Sequence, residues 1–400
     1  MAAKNLHLEH IEDEIINQGI DGGRGAINFL QGLRDMLKGN ATSGVNMTVK
    51  WDGAPAIFCG KHPETGQFFV AKKSLFNKTP LFYTSESEIK NAQELSGTLK
   101  SKFLYAFKYL SKLSWDTVMQ GDLMYTDDTK MTKIGGESFI TFQPNTILYA
   151  VQVDSDLGKE IARSKMGIVF HTTYTGSDIE SLTASFGANI KKLGYNSDVW
   201  VDDASYKDVS GKGSMTAKET LALTQELSKT GSAFHGIKKK DLNKFQELQT
   251  AIGSKGAGAS YKTYCNSLIR SGKYNPSYID YMEYFETYWE DKVVGKVKTE
   301  KTKQIKREIG EQIYNEMRSL KKLIENLTKF MGHLVEAKQM VISVLNRVKS
   351  IGTFKKTDNG FEAVNPEGYV AIDKTGSAVK LVDRMEFAFN NFTAQKNWDK

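Results

Sequence analysis

Apolar residues near the N-terminus recur at steps of three and four: Leu8, Ile11, Ile15, Ile16, then Ile27, Leu30, Leu33 and Leu37. That spacing predicts helix over 5–38, and Gly19, Gly22 and Gly23 in its middle predict a break into two helices. Beyond it the period changes. NMTVKWDGAPAIFC (46–59) and QFFVAKK (67–73) read as strands joined by the turn-rich KHPETG, which predicts a hairpin. A helical pattern returns over 86–113, and strands are expected at 117–125, 138–143, 146–153 and 167–174.

From about 176 the character shifts. Residues 214–350 are nearly all helical in pattern, with Lys-rich joints such as GIKKKD at 236–241. An apolar stripe from Ile305 through Ile309, Ile313, Met317, Leu320, Ile324, Leu327 and Leu334 to Val348 predicts one long helix or a helical hairpin, with Gly332 as the break. The strand pattern resumes at about 352 with FEAVNPEGYVAID and then SAVKLVDRMEFAF. The simplest architecture is α+β. Residues 1–175 carry N-terminal helices and the first part of a β-rich domain, 176–351 form a mainly α-helical insertion, and 352–400 supply strands that return to the first domain's sheet.

Composition narrows this only a little. Four hundred residues can bury a large core and usually make two or three domains. There is no run of about 18 apolar residues, so no membrane span is expected. The opening MAAKNLHLEHIEDE turns acidic at once and does not resemble a secretory signal. Cys59 and Cys265 are too few for a disulfide framework or a four-thiolate zinc site, and the six His show no HExxH spacing, so a reducing, cytoplasmic setting is expected. A net charge of +7 leans mildly toward a polyanionic partner.

The chemistry concentrates on Lys50-Trp51-Asp52-Gly53, at the end of an apolar strand after Val49. Further pieces follow in order: Lys72-Lys73-Ser74 at a strand end, Gly121-Asp122-Leu123, Tyr149-Ala150-Val151-Gln152, Glu367-Gly368-Tyr369-Val370, and Val379-Lys380-Leu381-Val382. This set resembles the covalent nucleotidyltransferase superfamily of ATP-dependent DNA ligases, RNA ligases and mRNA capping enzymes. The short strand–turn–strand step from Glu367 to Lys380 resembles the tRNA-repair RNA ligases of large phages most. The resemblance covers about 46–154 and 361–384.

It implies a ligase adenylation (nucleotidyltransferase, ATP-grasp-like) domain with Lys50 as the nucleophile that takes up AMP. It implies further that Asp52 and Lys380 serve catalysis, and that Val49, Trp51, Gly53, Lys73, Tyr149, Val151 and Glu367 contact the nucleotide. Asp122 and Glu367 would hold Mg²⁺, or Mn²⁺ in its place. ATP is the implied cofactor, and the partner is a nucleic acid with 5′-phosphate and 3′-hydroxyl ends. RNA is favoured over DNA, because only 20 residues follow Lys380 and an OB-fold has no room there. The closing strand departs from the usual K-x-K, since its second place is Val382.

Elementary chemistry agrees with these roles. A lysine attacks phosphorus only as the neutral amine, a form that nearby cations and partial burial favour. Carboxylates such as Asp122 and Glu367 are the hard oxygen ligands that Mg²⁺ prefers. Gly53 permits close backbone approach.

Other features read as structural. GSKGAGAS (253–260) lacks the G-K-[ST] of a phosphate loop and is expected to be a linker. KVKTEKTKQIKR (296–307) is expected to be a solvated helix face, with a nucleic-acid contact as the alternative. Tyr278, Tyr281, Tyr284 and Tyr288, with Phe285 and Trp289, are expected in a core or interhelix seam, and His7 and His10 on the surface. The opening HLEHIEDE together with KWDGAPAIF resembles uncharacterised proteins of large tailed phages, which would place the chain in the host cytoplasm.

Overall fold

The structure is a computed structural model. It describes residues 9–38, 46–205, 214–251, 260–272, 274–347, 352–357, 360–363, 368–372 and 378–385. The first strand, β1 (Asn46–Lys50), stops at the Lys50-Trp51-Asp52-Gly53 turn. The strand-like stretch 46–59 thus consists of two strands, with the motif at the end of the first. After Pro55, which has no N–H to give to a ladder, β2 (Ala56–Lys61) begins in a different sheet and forms the expected hairpin with β3 (Phe68–Ala71).

Eleven more strands are described: β4 (Val118–Tyr125), β5 (Lys130–Ile134), β6 (Glu137–Phe142), β7 (Leu148–Gln152), β8 (Met166–Thr175), β9 (Thr183–Phe186), β10 (Val199–Asp203), β11 (Gly352–Thr357), β12 (Gly360–Ala363), β13 (Gly368–Ile372) and β14 (Ala378–Leu381). They build three sheets. The largest runs β10-β8-β4-β2-β3, with β9 also on β8. A second runs β12-β11-β7-β6-β5, and a third β1-β13-β14. The strands after 352 thus return to the N-terminal strands, as expected, but to two sheets rather than one: β11 pairs with β7 and β13 with β1. Strand structure also continues beyond 175, because β9 and β10 both pair with β8.

The helices are α1 (Glu14–Leu37), α2 (Glu86–Asn91), α3 (Gly97–Leu110), α4 (Asp156–Arg163), α5 (Ala217–His235), α6 (Lys239–Ala251), α7 (Ser260–Arg270), α8 (Tyr278–Trp289), α9 (Glu300–Ser319) and α10 (Lys321–Leu345). The break within the first helical run falls at Gly19 alone, with φ 66°. Gly22 and Gly23 stay helical, and neither has room for a side chain: a Cβ on Gly22 would come 2.2 Å from the Glu14 carbonyl oxygen. The apolar stripe expected as one helix or a hairpin divides at Leu320, not Gly332, into α9 and α10.

Packing sorts these elements into two bodies of core. On one face of the large sheet, α3 and the α2 region cover Ile57, Cys59, Met119, Leu123, Ile168 and Phe170. On the other, Met124, Val169 and Trp200 meet Phe142, Tyr149 and Val151 of the second sheet. The helical core joins α1 to the later helices through Leu30, Leu33, Phe245, Leu327, Phe330 and Leu334, among others. Tyr281, Phe285 and Trp289 are buried in it and Tyr278, Tyr284 and Tyr288 pack against it, the seam expected of these aromatics.

The third sheet lies between these bodies. Tyr369, Val379 and Leu381 belong to the helical core, and Val49 packs against it. A buried ionic network fastens this junction. Lys338 of α10 donates to both Glu12 carboxylate oxygens at 2.8 and 2.9 Å, and each side chain is 1% exposed. Arg384 pairs with Glu12 and Asp13, and the Lys380 N–H donates to the Glu9 carbonyl at 3.0 Å. Burial raises the cost of Glu12's charge, yet Lys338 above all holds its carboxyl down at about 2. His10 is not a surface residue. It bridges to Lys380, its Nδ1 is buried, and burial pushes its pKa well below the ordinary range. His7 lies outside the described residues, as does 253–259 of the expected linker.

Candidate functional site

Four stretches distant in sequence meet at the Lys50-Trp51-Asp52-Gly53 turn. The turn lies along β4, where the Ala54 N–H donates to the Leu123 carbonyl at 3.0 Å and the Leu123 N–H to the Pro55 carbonyl at 3.1 Å. Gly53 is required there: a Cβ would stand 2.4 Å from Asp122 Cβ. The turn is also tied to β7 and the loop before it. The Asp52 N–H donates to the Tyr149 hydroxyl at 2.8 Å. The buried Asp52 carboxylate accepts from Asn145 Nδ2 (2.8 Å), Thr146 N (2.8 Å), Thr146 Oγ1 (2.7 Å) and Ile147 N (2.9 Å). Asp52 therefore fixes the loop at 145–147, a grip that no motif announced.

Trp51 packs on Tyr149, with ring centroids 5.2 Å apart, and edge-on to Trp200 at 6.3 Å. Its indole Nε1 is buried and finds no partner among the described residues. Tyr149 and Val151 lie in the interior, 2% and 3% exposed, and Tyr149 stacks on Phe142. Lys73, itself exposed, starts a 3₁₀ turn after β3, at the sheet edge two strands over from β4. Its neighbour Lys72 donates to the Glu94 carbonyl. Glu367 lies outside the described residues.

Lys50 pairs with Gly368 on β13, while Lys380 on β14 pairs with Val370. Alternation along the pleat puts Lys50 and Lys380 on one face of the small sheet, opposite the face that Val49, Tyr369 and Leu381 turn to the helices. Val382 is buried over Gly368: a Cβ on that glycine would approach Val382 Cγ2 to 2.8 Å.

The electrostatics centre on Asp122. Val118, Gln120, Asp122 and Met124 alternate onto one face of β4, where Val118 and Met124 belong to two separate apolar clusters with Asp122 between them. Burial raises its carboxyl to about 7; the nearby Lys50 ammonium pulls the other way and Asp52 adds to the rise. Its neighbour is His171, with Nε2 3.8 Å from Asp122 Oδ2 and Nδ1 2.8 Å from Thr172 Oγ1. Burial, aided by Lys50, lowers His171 to about 4, so the imidazole is neutral.

Sequence reasoning passed over His171. Its position depends on a β-bulge: Gln120 faces Thr172 and Gly121 faces Phe170, leaving His171 as the extra residue on β8. Polar HTT after apolar GIVF was the only sequence signal.

A cavity of about 520 Å³ opens behind the turn, lined by Ala54, Pro55, Leu99, Lys102 and Pro144 among others. Lys102 donates to the Ala54 carbonyl at 2.9 Å. For a divalent cation, Asp122 offers a hard oxygen, and Mg²⁺ sites built from one or two protein ligands with waters and substrate phosphates are common. No cluster of three or more His, Cys, Asp or Glu suited to a metal occurs among the described residues. The donors present fit a cation held by few protein ligands. No described helix is long and apolar enough to cross a membrane.

With this geometry in hand, the comparisons define the chain's class. Residues 5–396 match a family described as "Family of unknown function (DUF6267)", and the chain belongs to that family. No curated protein and no solved structure matches it.

Proposed function

We propose that this protein is an ATP-dependent polynucleotide ligase that works through a lysyl-AMP intermediate on Lys50, with RNA ends as its acceptor. What carries the reading is the convergence at the turn. Lys50 acts electrostatically on Asp122, Gly53 lies against Asp122, and Lys380 shares the face of the small sheet from which Lys50 projects.

The chemistry follows from these neighbours. The neutral Lys50 amine attacks the α-phosphorus of ATP; an N–P bond forms as the bond to the pyrophosphate oxygen breaks. Lys380 offsets charge on the phosphoryl oxygens during transfer. Asp122 would be the oxygen ligand for Mg²⁺ or Mn²⁺, which when bound neutralises charge on the triphosphate. AMP then passes to a 5′-phosphate end, and a 3′-hydroxyl displaces it. Asp52 serves by holding the turn to the loop at 145–147.

The test is incubation with ATP labelled at the α-phosphate, followed by a denaturing gel, with Lys50→Ala alongside. Acid-labile, alkali-stable label on the wild type alone supports the reading. Absence of label with every nucleotide and with NAD removes it. Product analysis with 5′-phosphorylated RNA separates ligation from nucleotide transfer to another acceptor. A second reading, a nucleic-acid-binding or assembly module without chemistry, draws on two observations: loop donors already occupy the Asp52 carboxylate, and buried Val382 stands where ligases carry a second lysine.

A further inference from the structure

The bulge in β8 brings an imidazole to a carboxylate without joining them. At 3.8 Å, His171 Nε2 and Asp122 Oδ2 are too far apart for a hydrogen bond. Two ligands at roughly 2.1 Å from one cation stand about 3.0–3.5 Å apart for bond angles between about 90 and 110°. A closure of a few tenths of an ångström therefore converts the pair into two arms of a metal site. The side chains are 28% and 21% exposed, so an ion can reach them and keep water or phosphate on its other positions.

The second shell suits the same use. His171 Nδ1 lies 2.8 Å from Thr172 Oγ1, and in the tautomer whose Nδ1–H donates there, Nε2 carries the free lone pair on the side of Asp122. Metal-bound histidines are usually oriented through their other nitrogen in this way. Thr172 is itself buried, so the orientation is rigid. A nitrogen donor changes the selectivity. Carboxylate and water alone suit Mg²⁺ and Mn²⁺ alike, whereas an added imidazole favours first-row transition ions and so tips the pair away from Mg²⁺. Lys50 bears on both groups and competes with a cation for the same negative potential.

We propose that Asp122 and His171 form a divalent-metal site of mixed oxygen and nitrogen chemistry that takes Mn²⁺ in preference to Mg²⁺, with Lys50 as its competing charge. The inference deepens the nucleotidyl-transfer reading by naming the ion, yet its test requires no turnover.

Free Mn²⁺ is measured by electron paramagnetic resonance during titration into the full chain, for the wild type, His171→Ala, Asp122→Asn and Lys50→Met. The wild type is expected to bind one Mn²⁺, which an equal concentration of Mg²⁺ does not displace. Removing either ligand is expected to weaken binding roughly 10- to 100-fold, the scale on which even outer-shell partners of metal ligands act. Lys50→Met is expected to tighten it, a gain that misfolding cannot imitate. Binding unchanged in His171→Ala, easy displacement by Mg²⁺, or weaker binding in Lys50→Met would overturn the proposal. Mn²⁺ bound as expected by a protein that never labels with ATP would sink the ligase reading and leave the metal site. Labelling with Mg²⁺ alone, unaffected by His171→Ala, would do the reverse.

Discussion

Replacing Asp122 by asparagine is expected to stabilise the ligand-free protein, by an amount that grows with pH. The carboxyl is held at about 7 against an ordinary value of 3.8. Between those values the folded state binds more protons than the unfolded one, so the wild type loses stability as pH rises through that window. Each pH unit is worth about 1.4 kcal/mol, which caps the loss at about 4 kcal/mol. Since 21% of the side chain remains exposed, screening reduces this to about 2–3 kcal/mol. Asparagine keeps the shape and carries no charge, so it escapes the loss. Near pH 4 the folded wild type is also neutral at this position, and the pH-dependent advantage vanishes. Other titrating groups are common to both proteins and cancel in the difference. The assay is urea unfolding of both proteins at pH 4, 6 and 8 with chelator present. A difference that stays flat with pH, or that falls as pH rises, would refute the reasoning, because it would mean that Asp122 ionises in the fold as easily as in water.

Other perturbations have equally definite outcomes. Lys338→Met leaves Glu12 buried without its main partner and is expected to cost about 3–5 kcal/mol in urea unfolding, while the double variant with Glu12→Met recovers much of that loss. Glu12 sits at about 2 instead of 4.5, so its share of stability is present above pH 4.5 and is lost as pH falls toward 2; acid unfolding of Glu12→Gln should lack that component. Asp52→Asn turns an NH₂ group toward donors whose hydrogen bonds the carboxylate now accepts, and hydrogen exchange at the Thr146 and Ile147 amides is expected to speed up by about 5- to 150-fold, for about 1–3 kcal/mol of lost hydrogen bonding. Gly53→Ala is expected to lower the melting temperature because of the 2.4 Å approach to Asp122, whereas Gly25→Ala, with open space around its Cβ inside α1, should raise stability by about 0.5–1 kcal/mol.

Where one local rule governs an element, the sequence was sufficient to find it. The 3.6-residue stripes announced the helical core, and the apolar runs announced β4, β6, β7 and β8. Failures came where tertiary contacts decide. Within NMTVKWDGAPAIFC the strand end at Lys50 was legible, but not the change of sheet that follows it, where Gly53 must clear Asp122 and Pro55 gives no hydrogen bond. The edge strand β5, Lys130–Ile134, has one apolar alternation too weak to see, and Met131 is 66% exposed. His10 looked solvated beside Glu9 and Glu12, yet both the partner that buries Glu12 and the strand that covers His10 come from the far end of the chain. At the site, Lys50, Gly53 and Asp122 were legible as motifs. His171 was not, because a bulge is a property of two strands, and neither strand reveals it alone.

The small sheet gives the helical unit a part in the site's geometry. One face of β1-β13-β14 is core for the helices and the other carries Lys50 and Lys380, so the backbone that bears the lysines is the one that Tyr369 and Leu381 anchor. The link is specific as well as apolar. The Tyr369 hydroxyl donates to Asn346 Oδ1 at 2.7 Å, just past the end of α10, and Tyr369 flanks the residue that pairs with Lys50. Arg384, four residues beyond Lys380, is held in the same buried network as Lys338 of α10. The helices after Ala217 are therefore tied to the sheet that carries Lys50. Asn346 holds Tyr369 of β13, Lys338 reaches Arg384 by way of Glu12, and β13 pairs with the strand that ends in Lys50.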